Sequence, residues 1–88
     1  MVILLDGLLM YSREAAHRQF QQSFRFPEYY GRNLDALYDS LCAIGHKTKV
    51  IFINRDAMLR AQDIYGTGIL ECFADAAEEN PNLELRFY

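Results

Sequence analysis

The sequence predicts a small two-layer α/β domain spanning residues 1–88. Its three-stranded parallel sheet is expected in chain order, 1-2-3, with about four helices. Three observations predict this. Residues 2–5 and 50–53 are apolar runs without alternation, the pattern of strands in a parallel sheet. Leu83, Leu85 and Phe87 alternate with Glu84, Arg86 and Tyr88, the period of a half-exposed edge strand. Segments with helical spacing lie between these runs, and strand–helix–strand connections imply parallel pairing with right-handed crossovers on one face.

The first strand, residues 2–5, reads as buried, and Asp6-Gly7 marks a turn. Ser12 can cap a helix over residues 13–24, with Ala16, Phe20 and Phe24 stepping by four along its inner face. His17 reads as a surface or half-buried helix residue, because no second His or Cys stands at metal spacing. Pro27 to Asn33 then forms a rigid turn. Pro27 fixes one φ angle, Gly31 offers a positive φ, and Asn33 is a good N-cap. Of the two tyrosines in this turn, Tyr29 and Tyr30, either could be core. Leu34, Leu37, Leu41 and Ile44 give the second helix an apolar stripe, and Gly45 stops it.

After the central strand, Asp56 is a candidate cap for a short third helix containing Met58, Leu59 and Ala61. Gly66-Thr67-Gly68 is expected to break the chain and open a last helix over residues 68–79. Its Ile69, Leu70, Phe73, Ala76 and Ala77 face inward, with Glu71, Asp75, Glu78 and Glu79 opposite, and Asn80-Pro81 ends it.

Composition narrows the function. The chain has 88 residues, 51% of them hydrophobic, which is enough for one core and argues against disorder. A net charge of −3, with no basic cluster, argues against nucleic acid and suits a basic partner. The two cysteines, Cys42 and Cys72, make no disulfide framework, so a reducing cytoplasm is expected. The N-terminal run lacks a positive flank and is interrupted by Asp6, so it does not read as a signal peptide. No run is long enough to cross a membrane.

The second helix carries the most information. At about 100° per residue, Asp35 and Asp39 lie only ~40° apart, nearly opposite the leucines, with Tyr38 on the border. Like charges at this spacing repel, and the sole cation at i±3 or i±4 is Arg32, three residues before Asp35. The helix dipole favours Asp35 near the N-terminus more than Asp39. On these residues alone, the face is either solvated surface or a surface whose missing cations belong to another molecule.

Pro27-Glu28-Tyr29-Tyr30-Gly31, then Asn33-Leu34-Asp35-Ala36-Leu37, then Asp39 and Leu41, resemble the signature of the barstar family, intracellular inhibitors of the ribonuclease barnase. The resemblance extends to chain length, element order and the acidic last helix. It implies an inhibitor, not an enzyme, that occludes a small basic extracellular-type ribonuclease in a 1:1 complex by mimicking RNA phosphates. Asp39 would be the central anchor, Asp35 its neighbour, and Tyr29 would pack against the nuclease's catalytic histidine. Asp75 and Glu79 would add acidic contacts, and Ala43, Ile44 and Gly45 would supply backbone. Tyr38 stands where the family has Trp, and Ile44-Gly45 replace a Trp-Val segment, so the interface rim differs. The resemblance implies no cofactor, metal, nucleic acid or membrane partner, and a free monomer.

Two other functions fit the acids. One is an immunity protein that blocks a toxin of non-ribonuclease chemistry through the same surface. The other is a hydrolase using Asp35 and Asp39 as an acid/base pair, but such a pair needs a cleft that raises one pKa. A metal site lacks further convergent ligands, and His46 beside Lys47 and Lys49 reads as a polar loop.

Overall fold

The computed structural model describes all residues, 1–88. The elements run β1 (Val2–Asp6), a 3₁₀ turn (Gly7–Leu9), α1 (Arg13–Phe24), α2 (Leu34–Cys42), β2 (Thr48–Ile53), α3 (Arg55–Glu79) and β3 (Leu83–Phe87). The three strands form one parallel sheet in the order β1-β2-β3, as expected. Val2 pairs with Lys49 and Leu4 with Ile51, while Thr48 pairs with Leu83 and Phe52 with Phe87.

The core lies on one face of this sheet. Ile3, Leu5, Val50, Phe52 and Leu83 are buried there under Phe20, Leu37, Leu41, Met58, Ile69 and Phe73. Phe73 is the hub: its ring meets Phe20 and Phe52 edge-on, with centroids 5.5 and 5.9 Å away. The other face is open. Val2 and Leu4 are exposed and Ile51 is half-buried, so β1, read from the sequence as a buried strand, is buried on one side alone, as crossovers on one face imply. No element crosses that face, so its residues meet water whatever their polarity.

Close approach at the carboxyl end of the sheet requires Gly7. A Cβ there would stand 2.1 Å from the Asn54 carbonyl oxygen. Asp6 caps the 3₁₀ turn by accepting from Leu8 N–H at 2.9 Å, and accepts from Asn54 Nδ2 at 2.9 Å.

Helix α1 begins and ends where the sequence places it. Ser12 Oγ accepts from Ala15 N–H at 3.1 Å, and Arg25 closes the helix in the left-handed conformation. In the following turn the positive φ falls on Arg32 (φ 53°), not on Gly31. The small size of Gly31 matters for space, because a Cβ there would lie 3.1 Å from Ala36 Cβ.

Helices three and four of the sequence reading are one assigned helix, α3, kinked at Asp63 (φ 49°, ψ −119°). The chain does not break at residues 66–68. Instead Gly68 gives α2 room: a Cβ there would stand 3.0 Å from Leu34 Cδ1. A non-glycine residue in the Asp63 conformation stores strain of about 1–3 kcal/mol. Asp56 lies inside the first turn, and the N-cap is Asn54, which makes no side-chain cap bond.

His17 is the largest departure from the sequence reading. It is 1% exposed, with Nδ1 2.7 Å from the Tyr30 hydroxyl and Nε2 2.7 Å from the Tyr65 hydroxyl. One tyrosine donates to the neutral ring and the other accepts from it. The ring ties together α1, the turn before α2, and α3 just past its kink. This settles the tyrosine pair: Tyr30 is core, whereas Tyr29 is 88% exposed.

Burial, helped by the nearby Arg32 charge, pushes the His17 pKa down to about 4. Between its ordinary value near 6.5 and that value, the unfolded chain binds a proton the folded protein refuses. The His17 contribution is therefore complete above about pH 6.5 and is lost as pH falls toward 4, by an amount on the order of 2–3 kcal/mol. Urea unfolding at several pH values should show this decline, and His17→Gln should flatten it. An equally steep decline in the variant would place the titration on another group.

Candidate functional site

Helix α2 starts at Asn33, whose Oδ1 accepts from Ala36 N–H at 2.7 Å and whose Nδ2 donates to the Gly31 carbonyl at 3.2 Å. That cap sets the phase of the helix. Leu37 and Leu41 are then fully buried, while Asp35 and Asp39 are exposed one turn apart. Leu34 packs beside Gly68 and Cys72 of α3, and the Cys72 Sγ donates to the Leu34 carbonyl at 3.5 Å. At the other end, the Asn80 side chain reaches the carbonyls of Leu41 and Ile44. The later part of α3 thus runs alongside α2 from its first residue to its last.

The outer edges of the two helices enclose a shallow groove of about 250 Å³ lined by Leu34, Asp35, Tyr38, Gly68, Glu71, Cys72 and Asp75. Of the residues singled out in the sequence, Asp35, Tyr38 and Asp75 meet here. Asp39 lies beyond the groove on the same helix, and Glu79 stands close enough to act on Tyr38. Tyr29 projects from the preceding turn and does not join them. Ala43 and Gly45 are exposed at the end of α2, with Ile44 half-buried between them.

Two residues gain a role that sequence reasoning did not give them. Glu71, placed by the sequence on the outward face of the last helix and given no contact there, lines the groove. Asn80, read only as a helix stop, is 5% exposed and bonded to the end of α2. Glu71 could have been found from its spacing to Asp75, one turn on. The role of Asn80 depends on where α2 ends in space, and no local pattern encodes that.

None of the acids on this surface has a cation in its own domain. Both ion pairs involve Glu84 on the open sheet face, with Lys49 at 3.6 Å and Arg86 at 3.2 Å. Arg32, the nearest cation in sequence, donates instead to Gln21 Oε1 at 3.0 and 3.3 Å. Arg13 stacks over the Tyr65 ring at 4.2 Å, and Lys47 Nζ donates to the Pro81 carbonyl at 3.4 Å. No group of three or more His, Cys, Asp or Glu side chains is placed to hold a metal ion. No helix is long and apolar enough to cross a membrane.

The family model described as Barstar (barnase inhibitor) matches residues 1–88. The chain belongs to the barstar family. A relative from Bacillus subtilis (strain 168), named "Putative ribonuclease inhibitor YrdF", is 32% identical over 78 residues, covering 88% of this chain and 86% of the relative.

In this barstar-family chain, Tyr38 is tuned by its neighbours. The nearby Cys42 side chain, then desolvation, then the charges of Glu79 and Asp75 push its phenol up to about 12. It therefore stays a neutral O–H among carboxylates at physiological pH. The Cys72 thiol is likewise pushed up to about 12, first by burial and then by Asp75, Cys42 and Asp35. Both cysteines are free.

The carboxylate of Asp39 has no hydrogen-bond or ion-pair partner, and the helix dipole no longer favours it beyond the first turn. Its repulsion with Asp35 costs about 0.2–0.5 kcal/mol. Replacing Asp by Ala gains up to ~0.7 kcal/mol of helix propensity. Asp39→Ala should therefore stabilise the free domain by roughly 0.5–1 kcal/mol in urea unfolding, with only the repulsive share fading in high salt. A variant less stable than the parent at both salt concentrations would make Asp39 a structural residue.

Proposed function

We propose that this protein inhibits a small basic ribonuclease of the secreted type by seating the α2–α3 acidic surface over its active site. The observation that carries this reading is the convergence of Asp35, Tyr38, Glu71 and Asp75 on one groove, with no cation of the domain paired to any of them. Family membership and the name of the Bacillus subtilis relative point the same way.

The mechanism is charge mimicry. A ribonuclease holds the RNA phosphate with Arg, Lys and His side chains. The carboxylates of Asp39 and Asp35, with Asp75 and Glu79 beside them, take the place of that phosphate and make charge-assisted hydrogen bonds in a site closed to water. Tyr29, exposed and aromatic, packs against the catalytic histidine. The Tyr38 phenol remains protonated and donates at the rim. Ala43, Ile44 and Gly45 contribute backbone groups. The complex is 1:1, the free domain is a monomer, and the free thiols suit a cytoplasmic location, where the inhibitor guards the cell against the enzyme.

Titrating the domain into a barnase-type ribonuclease should abolish RNA cleavage at one equivalent. Association should slow with added salt, because attraction is screened beyond roughly 8–10 Å. Asp39→Ala should weaken binding most, on the order of a hundredfold or more, because it leaves several buried cations unpaired. Asp35, Asp75, Glu79 and Tyr29 should follow, and Glu78→Ala should be nearly silent. Full nuclease activity in excess domain would refute the reading. So would a map in which Glu78→Ala costs more than Asp39→Ala.

A further inference from the structure

We propose that Asn80 is a positioning residue for the partner-binding surface, fixing the 43–45 backbone and tying α2 to the end of α3. The inference rests on the inhibitory function proposed above. An α-helix leaves its last carbonyls without intrahelical donors. Helix α2 has one long local bond at its end, Ile44 N–H to the Leu41 carbonyl at 3.3 Å, and lacks the other usual remedies. It has no basic residue in its last turn, and its C-cap, Ala43, is right-handed at φ −83°, so no left-handed glycine closes it.

The remaining donors come from far along the chain. Asn80 Nδ2 donates its two protons to the carbonyls of Leu41 at 3.0 Å and Ile44 at 2.9 Å, with the Cys42 carbonyl sharing them at 3.4 Å. Asn82 Nδ2 adds a bond to the Ile44 carbonyl at 3.2 Å, and Asn80 Oδ1 accepts from Asn82 N–H at 3.0 Å. The Asn80 backbone N–H closes α3 on the Ala76 carbonyl at 2.8 Å.

One buried amide therefore ends α3 and caps α2. The residues it holds lie among those proposed to meet the nuclease: Ile44 between Ala43 and Gly45, and Glu79 immediately before Asn80. Asn80 touches no partner itself. It acts by presenting the loop and by holding two helices whose outer faces carry like charge. An aspartate in its place would set a carboxylate against three carbonyl oxygens.

The test uses barnase as the probe with the parent, Asn80→Ala, Asn80→Asp, Asn82→Ala and Asp39→Ala, each checked for folding by circular dichroism. Folded Asn80→Ala should release barnase at least tenfold faster, with an association rate within about threefold of the parent. Asn80→Asp adds a negative charge, which favours association with a basic nuclease, so faster release there would reflect geometry and not lost attraction. The Asn80→Ala effect should be non-additive with Asn82→Ala, whose side chain holds the same Ile44 carbonyl, and additive with Tyr29→Ala, a split that a purely structural role would not produce. If Asn80→Ala does not fold, Asn82→Ala carries the test, with release about threefold faster. Parent-like release from the folded variants, alongside weakened Asp39→Ala, would overturn the role of Asn80 and leave the inhibitory function standing. A parent that does not bind barnase-type enzymes would overturn both.

Discussion

The packing of α2 against α3 is the constraint on which the rest of the surface depends. Leu37 and Leu41 are fully buried in the same core as Ile69, Phe73 and Ala76 of α3. Burying each leucine contributes about 1.5–3 kcal/mol. Repulsion between carboxylates one turn apart costs only a few tenths of a kcal/mol per pair. The apolar contact wins by a wide margin, so the acids are carried together as a consequence of core formation. The surface is preorganised in that sense. It exists in the free domain at small cost.

Much of this was legible in the sequence, because local rules decide it. Ser12 and Asn33 are caps whose bonds lie within three residues, and they set α1 and α2. The alternation from Leu83 to Phe87 sets β3, and the leucine stripe sets which way Asp35 and Asp39 point. What was not legible depends on meetings between distant segments. His17 looks like a surface helix residue until Tyr30 and Tyr65 arrive on either side of it. Asn80 looks like a stop until α2 ends beside it. The two glycines at 66 and 68 read as a break, yet the helix passes through them, and the kink sits at Asp63, where no sequence signal marks a positive φ. The open sheet face follows from crossovers on one side, but the apolar run of β1 does not display it, because a continuous apolar strand looks the same in sequence whether one or both faces are covered.

The charges are divided between surfaces. Cations sit with Gln21, with the Tyr65 ring, with a backbone carbonyl or with Glu84 on the open sheet face, and none is paired to the acids of α2 and α3. The groove between those helices is shallow and open. The barstar family to which the chain belongs is described by inhibition of barnase. The fold supplies a sheet-backed scaffold, acids on the outer faces of α2 and α3, and a tyrosine–histidine–tyrosine bridge that steadies the turn leading into α2.

The most direct measurement is to map the bound surface residue by residue. Amide chemical shifts of the isotope-labelled domain would be recorded with and without a catalytically inactive barnase-type ribonuclease. The account predicts perturbations concentrated in residues 29–45 and 68–80, with the open sheet face around Val2, Leu4 and Ile51 unmoved. Perturbations centred on that sheet face, with Asp35, Asp39 and Asp75 unchanged, would contradict it.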